Sequence, residues 1–213
     1  MITETPNDHL YTLSEGERAR LLDWARSVIG AALRADSPPT PEGIDRQLVA
    51  GCFVTLRRVD NGALRGCRGM LFQADPLPSA VAYAARAAAL DDPRFPPVTE
   101  HEMDALAIEI SLLSEPMPID PTSIEVGRHG LMIRAADRVG VLLPGVATDY
   151  GWDVLTYLDA VCAKAALPAG AWRTAGVELL GFESTSWHEP NWPDRPLGAL
   201  GAGKASSQKP SAG

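Results

Sequence analysis

The sequence predicts an α+β protein, and three observations predict it. Apolar residues recur at helical spacing in some segments and alternate at period two in others. An Asn61-Gly62 pair joins two alternating runs, as a tight hairpin requires. Strand pairs and helices then follow one another in mixed order along 213 residues.

Ser14 and Glu17 have capping-box spacing, and Leu21, Leu22, Ala25, Val28, Ile29, Ala32 and Leu33 recur at helical period, predicting a helix to about Ala35. The proline-rich run DSPPTPEG ends it. From Ala50 the period becomes two. Ala50, Cys52, Val54 and Leu56 share one face of a strand, with Gly51, Phe53, Thr55 and Arg57 on the other. The stretch LRGCRGMLF is its return strand, turning at Asp60 to Gly62. Arg65, Cys67, Gly69 and Leu71 are expected on one face, and Leu64, Gly66, Arg68 and Met70 on the other. Two glycines inside a strand weaken it, so a facing element or ligand is expected close to Gly66 and Gly69.

PLPSAVAYAARAAAL reads as a helix with a small face at Ala80, Ala84, Ala87 and Ala88, followed by the stiff loop DDPRFPPVT. Thr99 and Glu102 offer a second cap, and LAIEISLLS is a strand. GLMIRAADRVGVLLP is a second hairpin with its tip near Ala136 to Arg138. A helix carrying Trp152, Leu155, Leu158, Val161 and Cys162 follows, then a last strand in GVELLGFES. The Gly/Ala/Ser-rich tail 198–213 is expected to be disordered and to add nothing to stability.

The net charge of −8 and pI near 5.0 disfavour polynucleotide and anionic membrane surfaces, although a local basic patch remains compatible with them. No leader or membrane-spanning run is evident, and Cys52, Cys67 and Cys162 lack paired spacing, so a reducing cytoplasm is expected. HEMD at His101 is not HExxH, glycine-rich nucleotide motifs are absent, and neither metal nor cofactor is expected.

Cys67 is the sharpest chemical candidate. Arg65 on its face and the adjacent Arg68 can favour a thiolate with a lowered pKa. Alternatively, Cys67 is a small buried residue chosen for size. His129, among glycines at a strand entrance, is its candidate proton-transfer partner, or a structurally bonded histidine. In DDPRFPP, Asp92 and Arg94 form a polar corner that holds an anion or closes on itself.

In order, AGCFVTL, LRGCRG, DDPRFPPVT, IEISLLSEP, GRHGLMI, GVLLPGVATDYGWD and CAKAALPAGAW resemble the AMMECR domain family, over residues 10–189. In bacteria and archaea this type is protein A of the AmmeMemoRadiSam group. The resemblance implies two unequal, sequence-interleaved subdomains with the LRGC hairpin near the cleft between them. It also implies two partners, a Memo-type dioxygenase-like protein and a radical-SAM protein. No settled reaction comes with it. The sequence departs from the family pattern at Arg68 (isoleucine), Gly145 (glutamine) and Ala166 (glycine).

The expected function is an enzyme or enzyme subunit acting on a small anionic molecule, with Cys67 and His129 catalytic and Arg65, Gly66, Arg68, Gly69, Asp92 and Arg94 around the ligand. The alternatives are a non-catalytic adaptor for a partner protein and, less favoured by the charge, RNA or nucleotide binding.

Overall fold

The computed structural model of the protein describes residues 13–38, 40–44 and 48–193, so the expectation for the tail 198–213 lies outside the described residues. Helix α1 (Glu15–Leu33) begins at the Ser14/Glu17 capping box and buries Leu21, Leu22, Ala25, Val28 and Ile29. Strands β1 (Leu48–Arg58) and β2 (Leu64–Pro76) form the expected hairpin, with Val54 directly opposite Arg68. Helix α2 (Leu77–Leu90) follows, then β3 (Leu106–Leu113) and the short β4 (Met117–Pro118). The second hairpin is β5 (His129–Ala135) and β6 (Arg138–Leu142), and the last strand is β7 (Glu178–His188).

Two helices, α3 (Pro144–Tyr150) and α4 (Val154–Lys164), stand where the sequence suggested one. Gly151 at φ +62 ends α3, and Asp153 caps α4 through the Thr156 N–H. Leu155, expected on the apolar face, is exposed near the start of α4.

All seven strands form one antiparallel sheet in the order β2-β1-β3-β7-β5-β6, with β4 also on β7. Strand β7 is shared: residues 184–188 pair with β3 and residues 178–183 pair with β5. Side-chain alternation gives the sheet two chemically different faces. On one face, α1 and α2 cover Cys52, Val54, Leu56, Ile108, Ile110 and Leu112 as a first core. On the same face further along, α4 covers Leu131 and Ile133 as a second core. The opposite face is concave. There Phe53, Leu71 and Leu113 of the first hairpin and β3 meet Met132, Val141 and Phe182 of the other half, forming a third apolar cluster.

The close approach expected at Gly66 is made by a helix. A Cβ there would lie 2.1 Å from the Ala88 carbonyl oxygen of α2, whose alanines let it sit directly on the strand. At Gly69 the crowding comes from β1, with the Cys52 carbonyl oxygen 2.1 Å from where a Cβ would lie.

Candidate functional site

Strand β2 is an edge of the sheet, and an edge leaves a row of backbone N–H and C=O groups without partners. The DDPRFPP loop supplies the missing partners at one residue. The N–H of Cys67 donates to Asp92 Oδ2 at 2.9 Å, and the Cys67 carbonyl accepts from Arg94 Nη2 at 3.2 Å. Asp92 and Arg94 close the clamp on each other at 2.7 Å, and Asp92 is only 4% exposed. Hydrogen bonds from Arg94, together with the Cys67 N–H, hold the Asp92 carboxyl at about 2. The corner closes on itself around the cysteine backbone. It still leaves Arg94 Nη1 without a hydrogen bond among the described residues, on a side chain 44% exposed.

Arg65 does not face a ligand. Its guanidinium is buried and fully engaged by Glu102 at 3.0 and 3.1 Å and by the Pro96 and Pro97 carbonyls. Glu102 also closes the cap with Thr99, and its carboxyl is held at about 2, chiefly by Arg65. The physical reason is a bulge: register shifts between Leu56 and Arg57, and Arg65 swings to the loop beyond the edge. Arg68 is exposed on the helix-bearing face, opposite Val54, and does not share the Cys67 side.

His129 and Cys67 are not brought together. His129 pairs with Glu183, a position that alternation places on the helix-bearing face, four strands along the sheet from β2. Its Nδ1 accepts the Glu125 N–H at 3.0 Å, and its Nε2 lies 3.8 Å from Glu183. That is the structurally bonded histidine.

Different residues accompany Cys67. Across the concave face Cys67 stands opposite Thr55, Thr55 opposite Glu109, and Glu109 opposite His188, a row crossing β2, β1, β3 and β7. The Thr55 hydroxyl donates to Cys67 Sγ at 3.4 Å. Arg57, two residues on, points to the same side. It donates to the Gly62 carbonyl at 2.8 Å and lies over the Trp192 ring, which stacks on His188. The row sits beside the third apolar cluster, whose Phe53 and Leu71 occupy the same face of the same two strands. A polar strip thus borders an apolar patch on one concave surface.

Burial sets the electrostatics here. It pushes the Cys67 thiol up, with the Thr55 hydrogen bond and Arg94 pulling the other way and Asp92 and Glu109 adding to the rise. The lowered thiol pKa expected from the sequence is therefore corrected: the thiol is half-buried and protonated at neutral pH. Burial likewise raises the Glu109 carboxyl against the opposing fields of His188 and Arg57.

Glu109 is the site residue that motif spacing did not single out. A usable signal existed: it is the one charged residue inside the apolar run LAIEISLL. Among the described residues no three or more His, Cys, Asp or Glu converge as a metal site, and no helix is long and apolar enough to cross a membrane.

The AMMECR1 family model matches residues 22–187. Protein MJ0810 of Methanocaldococcus jannaschii is 40% identical over 192 residues, spanning 84% of this chain and 92% of that protein. Protein MK0488 of Methanopyrus kandleri is 36% identical over 199 residues, spanning 87% and 93%. The crystal structure of the uncharacterized protein PH0010 from Pyrococcus horikoshii superposes with a TM-score of 0.75 at 34% identity, covering 88% of this chain and 96% of that one.

Proposed function

The chain belongs to the AMMECR1 family, and from that premise we propose that it is an enzyme, or a subunit of one, acting on a small anionic molecule at the concave face beside Cys67. The observation that carries this is the company of the thiol. A half-buried cysteine, a threonine, an unpaired carboxyl and two guanidinium groups converge on one surface next to an apolar patch, which is how small-molecule sites are built. Cys67 contacts the substrate as a neutral thiol. The open Nη1 of Arg94 holds its anionic group, a task for which a planar guanidinium suits carboxylate or phosphate. The reaction takes place in the cytoplasm beside those of a Memo-type dioxygenase-like protein and a radical-SAM protein.

The adaptor alternative has one observation of its own. An open depression of about 480 Å³, lined by Gly69, Met70, Leu71, Asp75, Ser79 and Tyr83, lies along β2 and α2. Protection of Cys67 separates the two. Iodoacetamide labelling of the native protein, read by mass spectrometry, is expected to slow in millimolar phosphate or small carboxylates, and less so in Arg94→Lys. Labelling that no anion slows would sink the proposed site and favour the adaptor.

A further inference from the structure

We propose that Glu109 is the acid–base partner of Cys67, exchanging its proton with a ligand oxygen that lies across Thr55. The assignment rests on the site proposed above and adds the proton-transfer group to it.

Geometry comes first. Cys67, Thr55 and Glu109 are consecutive cross-strand neighbours on one face. At about 4.8 Å between strands, the outer two backbones stand roughly 10 Å apart. Thr55, 8% exposed, stands between them, its hydroxyl 3.4 Å from Cys67 Sγ.

The carboxyl itself is out of place for a structural residue. Three neighbouring acids are satisfied: Asp92 by Arg94 and the Cys67 N–H, Glu102 by Arg65 and Thr99, and Glu189 by Arg26 and the Ile108 N–H. Glu109, half-buried, makes no hydrogen bond or ion pair among the described residues. The nearby cations are otherwise engaged. Arg57 is bonded to Gly62 and stacked on Trp192, and His188 is bonded to the Glu189 carbonyl and stacked on the same ring.

The groups that set its charge come from every neighbouring strand: Arg57 from β1, His188 from β7 and Cys67 from β2. Asp149, exposed at the end of α3, shares the field of Arg57. Burial favours the protonated acid, while Arg57 and His188 stabilise the carboxylate left after donation. In the step, the O–H bond of Glu109 breaks and its proton passes to a carbonyl or hydroxyl oxygen of the ligand. The carboxylate is then reprotonated from water or product. The ligand class is a small molecule bearing such an oxygen beside an anionic group.

Two measurements on the full-length protein test this. Iodoacetamide alkylation of Cys67 against pH is compared between wild type and Glu109→Gln, and the Glu109 carboxyl is titrated by ¹³C NMR, its signal identified by its loss in the variant. Removing the carboxylate should speed alkylation at fixed pH by roughly three- to tenfold, about half to one pKa unit. The carboxyl should titrate above its ordinary 4.5. A wild-type thiol that reacts only on unfolding sinks the site and this assignment with it. A reactive thiol whose pH profile is the same in folded Glu109→Gln overturns the assignment alone. If the variant does not fold, Glu109→Asp supplies the missing NMR assignment, and a wild-type midpoint at or below 4.5 overturns the assignment as well.

Discussion

Asp92 and Cys67 are joined through the backbone of one and the carboxylate of the other, at 2.9 Å. A side chain here does the work of a neighbouring strand. Asp92→Ala leaves the Cys67 N–H and the Arg94 guanidinium without their acceptor. It should cost about 1–3 kcal/mol, read as a lower denaturant midpoint at unchanged m-value.

Acid should loosen the same region. Asp92 and Glu102 both titrate at about 2, below ordinary values of 3.8 and 4.5. Their folded pKa values are depressed, so the stability they contribute is complete above the ordinary values and is lost as pH falls toward 2. Melting temperature should hold from about pH 7 to pH 5 and drop between about pH 4 and pH 2. In an Asp92→Asn, Glu102→Gln double variant that acid drop should be shallower. An unchanged slope would remove these two carboxyls from the account.

Arg65 and Arg68 lie three residues apart and should behave oppositely. Arg65→Ala breaks a buried pair and strands two carbonyls, which should cost about 3–5 kcal/mol. Arg68→Ala removes an exposed side chain and should stay within about 0.5 kcal/mol. Chemical denaturation of both decides it; similar costs would contradict the structure.

Gly66→Ala would place a methyl 2.1 Å from the Ala88 carbonyl oxygen, which belongs to backbone and cannot rotate away. Helix α2 must lift, at about 1–3 kcal/mol. The diagnostic is faster amide hydrogen exchange over α2 as well as a lower melting temperature.

One substitution should stabilise. Ala166 follows α4 at φ +54, inside a Schellman motif closed by Leu167 N–H to Cys162 O and Ala166 N–H to Ala163 O. The left-handed region costs a residue with a Cβ about 1–2 kcal/mol. Ala166→Gly relieves that cost and gives back part of it as unfolded-chain entropy, a net gain of about 0.5–1 kcal/mol. A melting temperature that falls would refute it.

The hairpins were legible because alternation and the Asn61-Gly62 turn are local properties. The α1 cap was legible for the same reason. The fate of Arg65 was not, since one bulged residue in β2 sends its side chain to partners about thirty residues away. His129 failed on a different ground. Its face depends on the register of β5 against β7, which no local pattern records. Glu109 stood out in sequence as the one charge in LAIEISLL, but its place beside Cys67 emerged only when three strands were laid side by side.

Strand β7 has a consequence for biosynthesis. It closes both halves of the sheet at once, holding β3 with its last residues and β5 with its first. Until residues 178–188 leave the ribosome, the inner edge of β3 and one edge of β5 both lack their partner. The sheet is completed only by pairings of long sequence separation, which are slow to form. Between the synthesis of β5 and that of β7 the nascent chain carries two unpaired edges, the condition under which holdase chaperones engage and aggregation competes. Circular permutants that carry the β7 segment ahead of β3 should shorten that interval.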